Sequence, residues 1–246
     1  MLKNRVIPVL FLMAGKIVRS ERFTSFRVIG DPYRELSRFS EWGADELVYL
    51  DISRARDFEE TIDILHKIAD HAFMPLAFGG NVRTLEEAGR IIKGGAEKVV
   101  INTSAVETPD LISRIAEKYG SQAVTVSLDF AQNSVWTHHG MKQHHKGICE
   151  WARDIEAFGA GEILLNSVER DGTGLGYDLK VIESVVKSVG IPVVACGGVG
   201  KFEHFNEGFT AGAHAVAAGN IFHFTENAYP RAKRYLKEKG VSVRCE

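Results

Sequence analysis

The chain has 246 residues, a formal net charge of −2 and 45% hydrophobic residues. This near-neutral balance argues against binding to nucleic acid or an anionic membrane through bulk charge, and the length suits one large core. The longest apolar run, residues 7–14, is too short to span a bilayer and lacks the cleavage site of a signal peptide. Three scattered cysteines, Cys149, Cys196 and Cys245, indicate a reducing compartment rather than a disulfide framework. We therefore expect a soluble cytoplasmic protein.

Short apolar runs alternate with amphipathic segments along the whole chain. The runs predict buried parallel strands near residues 5–11, 46–51, 75–79, 98–102, 124–129, 162–167, 192–196 and 215–219. Helices are predicted between them, for example over Phe58–Ala69 and Leu85–Lys93. The long segment Lys16–Arg34 predicts a basic loop, either a lid on an anionic ligand or simply exposed. The stretch Arg231–Lys239 predicts the solvated face of the last helix.

The chain also repeats itself at a nearly constant offset. Three pairs of segments correspond, namely Trp42–Leu50 with Phe158–Asn166, Met74–Gly80 with Ile191–Gly197, and Gly95–Asn102 with Gly212–Gly219. Two near-equal halves, about 1–120 and 121–246, favour a single α/β domain over 1–246, a closed (β/α)₈ TIM barrel with a two-fold half-barrel repeat. An open doubly wound sheet is the alternative.

Glycines and small polar residues follow several predicted strands, at the end where barrel enzymes have their sites. Backbone N–H groups can approach an oxyanion closely at glycines, and helix N-termini add partial positive charge. The repeat places Gly80 opposite Gly197 and Asn102 opposite Gly219, which predicts one phosphate site in each half and a ligand with a phosphate at both ends. Alternatively, the glycines only form tight turns. The predicted phosphate-binding residues are Gly80, Asn81, Asn102, Thr103, Asp171, Gly172, Gly197, Gly198, Gly219 and Asn220.

Motifs spread over nearly the whole chain share one resemblance. They include residues 5–8, 45–52, 101–103, 120–124, 161–165, 170–173, 176–178, 197–198 and 222–224. These stretches resemble the cyclase subunit of imidazole glycerol phosphate synthase. The resemblance implies a phosphate-binding barrel, without metal or cofactor, that docks a class I glutaminase on its N-terminal face and receives ammonia through the barrel.

The resemblance is incomplete at the two positions that imply an acid–base pair in the family. The aspartate at the end of the family's fifth strand matches Asp129. At the end of the first strand, where the family has a second aspartate, this chain has Phe11, and a phenyl ring cannot transfer a proton. The family lysine after the first strand matches Arg19, a family glycine matches Asn81, and a serine matches Cys196. The departure resembles a divergent branch of lipopolysaccharide and other surface-sugar biosynthesis. Its members act with a glutaminase and an ATP-dependent sugar amidotransferase that turns an acetamido group into an acetamidino group.

The charged ring that gates ammonia in the family is matched in full. The matching positions lie at the starts of four strands, at Arg5, Glu46, Lys98 and Glu162. Side chains alternate along a strand, so we expect charges below, apolar side chains midway and polar groups at the top. An apolar interior suits neutral ammonia and excludes ammonium through its desolvation cost. The alternative is a structural salt-bridge plug unrelated to any gas.

The preferred hypothesis is a synthase-type subunit of a glutamine amidotransferase complex that binds a phosphorylated sugar compound and passes ammonia to it or to a partner enzyme. One alternative is the cyclase of histidine biosynthesis, a lyase that forms imidazole glycerol phosphate and aminoimidazole carboxamide ribotide. A sugar-phosphate isomerase like the related ribonucleotide isomerase is a third hypothesis, although that reaction also needs the missing acid.

Cys196 is interpreted as a small loop residue. Four histidines predict a solvated loop or, alternatively, a zinc or nickel site, namely His138, His139, His144 and His145.

Overall fold

The structure, a computed structural model, describes residues 3–54 and 57–244, so Cys245 lies outside the described residues. Within those ranges eight parallel strands pair in chain order, and the last pairs with the first. This closed strand order confirms the predicted (β/α)₈ barrel, whereas the division into half-barrels stays a prediction. The strands are β1 (Arg5–Met13), β2 (Leu47–Asp51), β3 (Leu76–Gly79), β4 (Lys98–Ile101), β5 (Val124–Ala131), β6 (Glu162–Ser167), β7 (Val193–Cys196) and β8 (Ala215–Ala218).

Helices follow the strands and pack around the outside of the barrel. The second and third helices have the predicted bounds, because each begins at a capping residue. Asp57 accepts hydrogen bonds from the backbone of Glu59 and Glu60, and Thr84 forms a reciprocal capping box with Glu87. None of the described helices is long and apolar enough to cross a membrane. The helices are α1 (Pro32–Glu41), α2 (Phe58–Ala69), α3 (Leu85–Lys93), α4 (Thr103–Glu107), α5 (Asp110–Tyr119), α6 (Ile148–Ala157), α7 (Leu179–Ser188), α8 (Phe202–Thr210), α9 (Ile221–Phe224) and α10 (Ala228–Glu238).

Two β-hairpins extend the barrel at its C-terminal end, where the sequence predicted loops. The first hairpin consists of Lys16–Glu21 and Ser25–Gly30, and the second of Ser134–Thr137 and Lys142–Gly147. The predictions of open loops there were wrong, because β1 and β5 continue past the barrel and each pairs antiparallel with the strand that follows it. The four histidines therefore lie in or beside an ordered hairpin.

Two separate apolar layers fill the structure. One lies between the strands and the helices, and the other lies inside the barrel. Cys196 belongs to the inner layer as the last residue of β7, so its interpretation as a loop residue was wrong. Burial raises the pKa of its thiol. The inner layer contains Ile7, Val9, Phe11, Val18, Val48, Leu50, Ala77, Val100, Leu164, Val194, Cys196, Ala215 and Ala217.

The C-terminal helix is anchored to the lower end of β1 through a buried polar cluster. Lys233 Nζ lies 2.6 Å from Asp45 Oδ1. The Tyr229 hydroxyl donates to the Val6 carbonyl at 2.9 Å and accepts from the Asp45 backbone N–H at 2.8 Å. The prediction that this stretch of α10 is a solvated face was wrong at Lys233, because the Asp45 carboxylate neutralises the ammonium group inside the protein.

Candidate functional site

Four charged side chains meet at the N-terminal end of the barrel. Arg5 donates hydrogen bonds to both Glu46 and Glu162. Lys98 Nζ lies 2.8 Å from a carboxylate oxygen of each of the same two acids. Each carboxylate therefore bridges both cations, and positive and negative charges alternate around a closed ring. The structure brings together all four residues that the sequence placed in a gate.

The charges of the ring depend on one another because the ring is largely buried. The side chains of Glu46 and Glu162 are only 3% and 8% exposed. Burial opposes ionisation of Glu162, but the attraction of Lys98 and Arg5 outweighs it and lowers the pKa of this carboxyl below its usual value. Burial similarly opposes the charge on Arg5, and the two carboxylates still raise its pKa. The surroundings therefore favour the charged forms of both Glu162 and Arg5.

Above the ring, the interior of the barrel is apolar except along β5. Thr125 and Ser127 point inward, because Val124 and Val126 beside them belong to the outer layer. The Thr125 hydroxyl is buried and has no hydrogen-bond partner among the described residues. The Ser127 hydroxyl donates to Asp129 Oδ1 at 2.8 Å. The predicted order of charged, apolar and polar layers is therefore observed, with hydroxyl groups along one side.

A cavity of about 600 Å³ opens at the C-terminal end of the barrel. One wall is apolar and includes residues of β1, β2 and the first hairpin, namely Phe11, Met13, Phe23, Phe26, Leu50 and Ile52. The facing wall is polar and includes Gly80, Asn81, Asn102, Thr103, Asp129, His138, His139 and Asn166. Its size and its combination of an apolar wall with a few converging polar groups are typical of a small-molecule site.

Phe11 occupies the end of β1 inside this cavity. Its ring meets Phe23 of the first hairpin edge-to-face, with 6.0 Å between the ring centroids. Phe11 therefore helps to hold the hairpin against the barrel mouth, in addition to filling the first-strand position with an apolar group.

No other carboxylate of the described residues takes the place of the missing acid. Besides Asp129, the cavity is lined by Asp51 and Glu107. Asp51 accepts hydrogen bonds from the Ser53 backbone N–H and the Thr61 hydroxyl at 2.9 and 2.7 Å. Glu107 is paired with Lys142 at 2.7 Å, which lowers the pKa of this carboxyl through a direct hydrogen bond. Both groups already have local partners.

Asp129 is the buried acid of the cavity. Its Oδ1 accepts hydrogen bonds from Ser127 and, at 3.3 Å, from the Asn166 amide. Burial raises the pKa of this carboxyl to about 6, although both hydrogen bonds favour the charged form. A carboxyl with this pKa can exchange a proton near neutral pH.

The predicted phosphate-binding residues divide into two groups. Gly80, Asn81, Asn102 and Thr103 of the first half line the cavity, whereas the six from the second half do not. The tip of the first hairpin covers three of them, Asp171, Gly172 and Asn220. The Asn220 amide donates to the Ser20 carbonyl at 3.0 Å, and the Arg22 backbone N–H donates to the Asp171 carbonyl at 2.9 Å.

Glycines of the second half allow close contacts within the protein itself. A side chain at Gly172 would lie 2.3 Å from the Ser20 carbonyl, and one at Gly198 would lie 2.2 Å from the Gly176 carbonyl. Arg19 also lies outside the cavity, with its guanidinium 5.0 Å from the ring centre of Phe224. The structure therefore unites the first-half residues, Asp129 and Phe11 in one site, apart from the others.

A family model described as histidine biosynthesis protein matches residues 5–228. The chain belongs to this family. The match runs from the first residue of β1 to the first residue of α10, so it includes both the ring and the cavity. Family membership and the closed strand order together identify a barrel of the histidine-biosynthesis enzyme type.

Several cavity residues of this histidine-biosynthesis family member were missed in the sequence. Arg54 and Arg83 follow β2 and β3 at the mouth. His138 and His139 line the cavity from the turn of the second hairpin, where both have positive φ angles of 54° and 58°. Arg83 lies two residues beyond the predicted Asn81, which was an available signal. The histidines were noticed in the sequence as a solvated loop or a metal site, but not as cavity residues, because the pairing of the hairpin decides where they point.

Proposed function

We propose that the chain is the synthase-type barrel of a glutamine amidotransferase complex, and that ammonia from a partner glutaminase enters through the charged ring. The observation that carries the proposal is the closed ring beneath an apolar interior. Glu46 and Glu162 each bridge both cations, so two acids and two bases balance in formal charge and form one closed network. This arrangement supports a gate rather than a binding site for an ion.

The interior above the ring supports passage of a neutral molecule. Apolar side chains such as Val48, Val100 and Leu164 offer an ammonium ion no compensation for lost hydration, whereas neutral ammonia loses far less. The Thr125 hydroxyl, which has no hydrogen-bond partner among the described residues, offers ammonia a partner beside the ring, because Thr125 is paired in register with Glu162. Ser127 and Asp129 continue the same inward face toward the cavity.

The mouth supports delivery of ammonia rather than a cyclisation that needs two acids. Phe11 fills the position of the first acid, and the other cavity carboxylates are paired locally. We propose that the acceptor is a phosphorylated sugar compound, or a partner enzyme such as an ATP-dependent sugar amidotransferase, in the modification of an acetamido group to an acetamidino group during surface-polysaccharide biosynthesis.

A second candidate is the cyclase of histidine biosynthesis. Asp129 favours it, because a buried carboxyl with a pKa of about 6 suits proton transfer near neutral pH. Family membership supports this candidate equally.

Turnover of the cyclase's ribulosyl substrate with a high concentration of ammonium salt separates the two candidates. We expect the purified chain to be slower than its Phe11→Asp variant by a factor of about 10² or more, the usual contribution of an acid or base. Turnover by the unmodified chain at a normal cyclase rate would contradict the amidotransferase proposal.

Co-purification with a co-expressed class I glutaminase tests the partner. Glu97 is exposed just before β4, on the same face as the ring. We expect Glu97→Lys to weaken co-purification, whereas Glu226→Lys, an exposed change at the opposite end near α9 and α10, leaves it unchanged. Equal recovery of the glutaminase with both variants would contradict docking on the lower face.

A further inference from the structure

The floor of the cavity, formed by Phe11, Leu50, Ser127, Asp129 and Asn166, has an open hydrogen-bond acceptor on one side. The Ser127 hydroxyl and the Asn166 amide both donate to Asp129 Oδ1, at 2.8 and 3.3 Å. Asp129 Oδ2 therefore has no hydrogen-bond partner within residues 3–54 and 57–244, and neither has Asn166 Oδ1. A ligand can thus bind the Asp129 carboxylate only by donating an N–H or O–H group to it.

The opposite side of the floor is apolar. Phe11 lies on β1 and Asp129 on β5, the strand opposite β1 in the ring of eight, and both side chains line the cavity. Phe11 is paired in register with Leu50, and its ring meets that of Phe23 edge-to-face. A polar group placed against this surface loses hydration without gaining a hydrogen bond, so an apolar group is favoured there.

The charged residues above the floor do not choose the group that reaches it. Among the described residues, two acids, two arginines and two histidines line the cavity there, namely Asp51, Glu107, Arg54, Arg83, His138 and His139. The two acids balance the two arginines in formal charge. Burial raises the pKa of Asp129, and the one charged neighbour that adds to this rise is Asp171, which lies outside that set. Ligands that differ only in the group at the floor therefore meet the same charges above it.

Three common substituents of a sugar can donate a hydrogen bond to Asp129, and they differ in how they meet Phe11. A hydroxyl group has no apolar part to place against the phenyl ring. An ammonium group can pair with the carboxylate but loses hydration against the apolar side. An N-acetyl group is neutral, donates its amide N–H, and carries a methyl group that can pack on the ring. The two sides of the floor therefore fit the N-acetyl group best.

We propose that the floor binds an N-acylamino group of the ligand, which donates its N–H to Asp129 and packs its methyl group against Phe11. The acyl carbon then lies beside Asp129, at the upper end of the inward face of β5 that also carries Thr125 and Ser127. This inference rests on the proposed function. It names the group of the sugar compound that stands at the exit for ammonia, and it assigns recognition of that group to the barrel itself.

Isothermal titration calorimetry of the unmodified chain at pH 7 with three matched probes tests the proposal. N-acetylglucosamine 6-phosphate, glucosamine 6-phosphate and glucose 6-phosphate differ only in the substituent at one carbon, so the contribution of the phosphate cancels. Asp129 is mostly ionised at this pH, because its pKa is about 6. We expect the N-acetyl probe to bind more tightly than either of the others by about four-fold or more, which is the effect of burying one methyl group.

Variants on the two sides of the floor assign the contacts. Asp129→Asn places an amide N–H where Oδ2 was, because Ser127 and Asn166 still donate to the other atom, and should bring the three probes within about two-fold of each other. Phe11→Ser should have the same effect, whereas Phe11→Leu keeps an apolar side chain and should retain the preference. Phe73→Ser, at a side chain that is 92% exposed before β3 at the opposite end, should change nothing.

Melting temperatures show which variants are folded, and Asp129→Asn decides the proposal where Phe11→Ser does not fold. Three results would overturn it. The N-acetyl probe binds no better than glucose 6-phosphate, or none of the three binds; glucosamine 6-phosphate binds most tightly; or the preference for the N-acetyl probe survives in Asp129→Asn. Because the titration uses the barrel alone, each of these results leaves glutaminase docking untouched, which the separate co-purification assay decides.

Discussion

Removing one cation from the charged ring gives the sharpest test of how its members depend on each other. In Lys98→Met, Arg5 alone must neutralise two carboxylates that are 3% and 8% exposed. Removing one partner of a buried ion pair typically costs about 3–5 kcal/mol, because the remaining charge stays buried. The Lys98 side chain keeps 18% exposure and Arg5 remains, so we expect a loss of about 2–4 kcal/mol in the free energy of unfolding.

Urea unfolding at pH 7 measures this loss, and Lys180→Met on the exposed face of α7 is the matched control, expected to change stability by about 0.5 kcal/mol or less. The double variant Lys98→Met/Glu162→Gln leaves Arg5 and Glu46 as a neutral pair. We expect it to recover at least about 1 kcal/mol relative to the sum of the single changes, since the two sites are in direct contact. Strictly additive costs, or a Lys98→Met loss no larger than that of the control, would refute the reasoning.

The same variant has a defined pH dependence. The pKa of Glu162 is lowered in the folded state, so this carboxylate stabilises the fold above its ordinary value of 4.5, and the contribution is lost as the pH falls through the lowered pKa. Lys98→Met removes one cause of the lowering. The stability difference from the unmodified chain should therefore be constant between about pH 6 and 8 and shrink below about pH 4.5.

Three further changes test other parts of the structure. Asp129→Asn should raise the unfolding free energy at pH 8 by up to about 3 kcal/mol and much less at pH 4.5. The pKa of this carboxyl is raised from 3.8 to about 6, so its ionisation destabilises the fold increasingly between these two pH values and fully above them; urea titrations at both pH values measure the difference. Gly80→Ala should cost about 2–4 kcal/mol, since φ is 97° and the new Cβ would lie 2.0 Å from a carbonyl oxygen, whereas Gly147→Ala, with open space around it, should be nearly neutral by the same measurement. Lys233→Met should cost about 3 kcal/mol by isolating the buried Asp45 carboxylate, and thermal melting with no shift would contradict that pairing.

Much of the barrel followed from local patterns, whereas the four ring positions at its lower end came from the family resemblance. The bounds of α2 and α3 were predicted because apolar spacing and capping residues act within a few positions of each other. The inward direction of Arg5 and Glu162 was predicted because side chains alternate along a strand, so that one assigned position determines the rest. The roles of the ring and of Asp129 remain proposals.

The layout of the mouth was decided by contacts between distant parts of the chain. Ser20 meets Asn220 across 200 positions, and Lys233 meets Asp45 across 188. Residue type and spacing say nothing about such pairs, because a glycine or asparagine has the same local preferences whether it faces a ligand or another strand. The pattern of the sequence therefore determined the closed barrel, and its resemblance to the family supplied the four positions of the charged ring. Only the tertiary structure decided that a hairpin covers part of the second-half phosphate residues and that the first-half residues open onto a cavity.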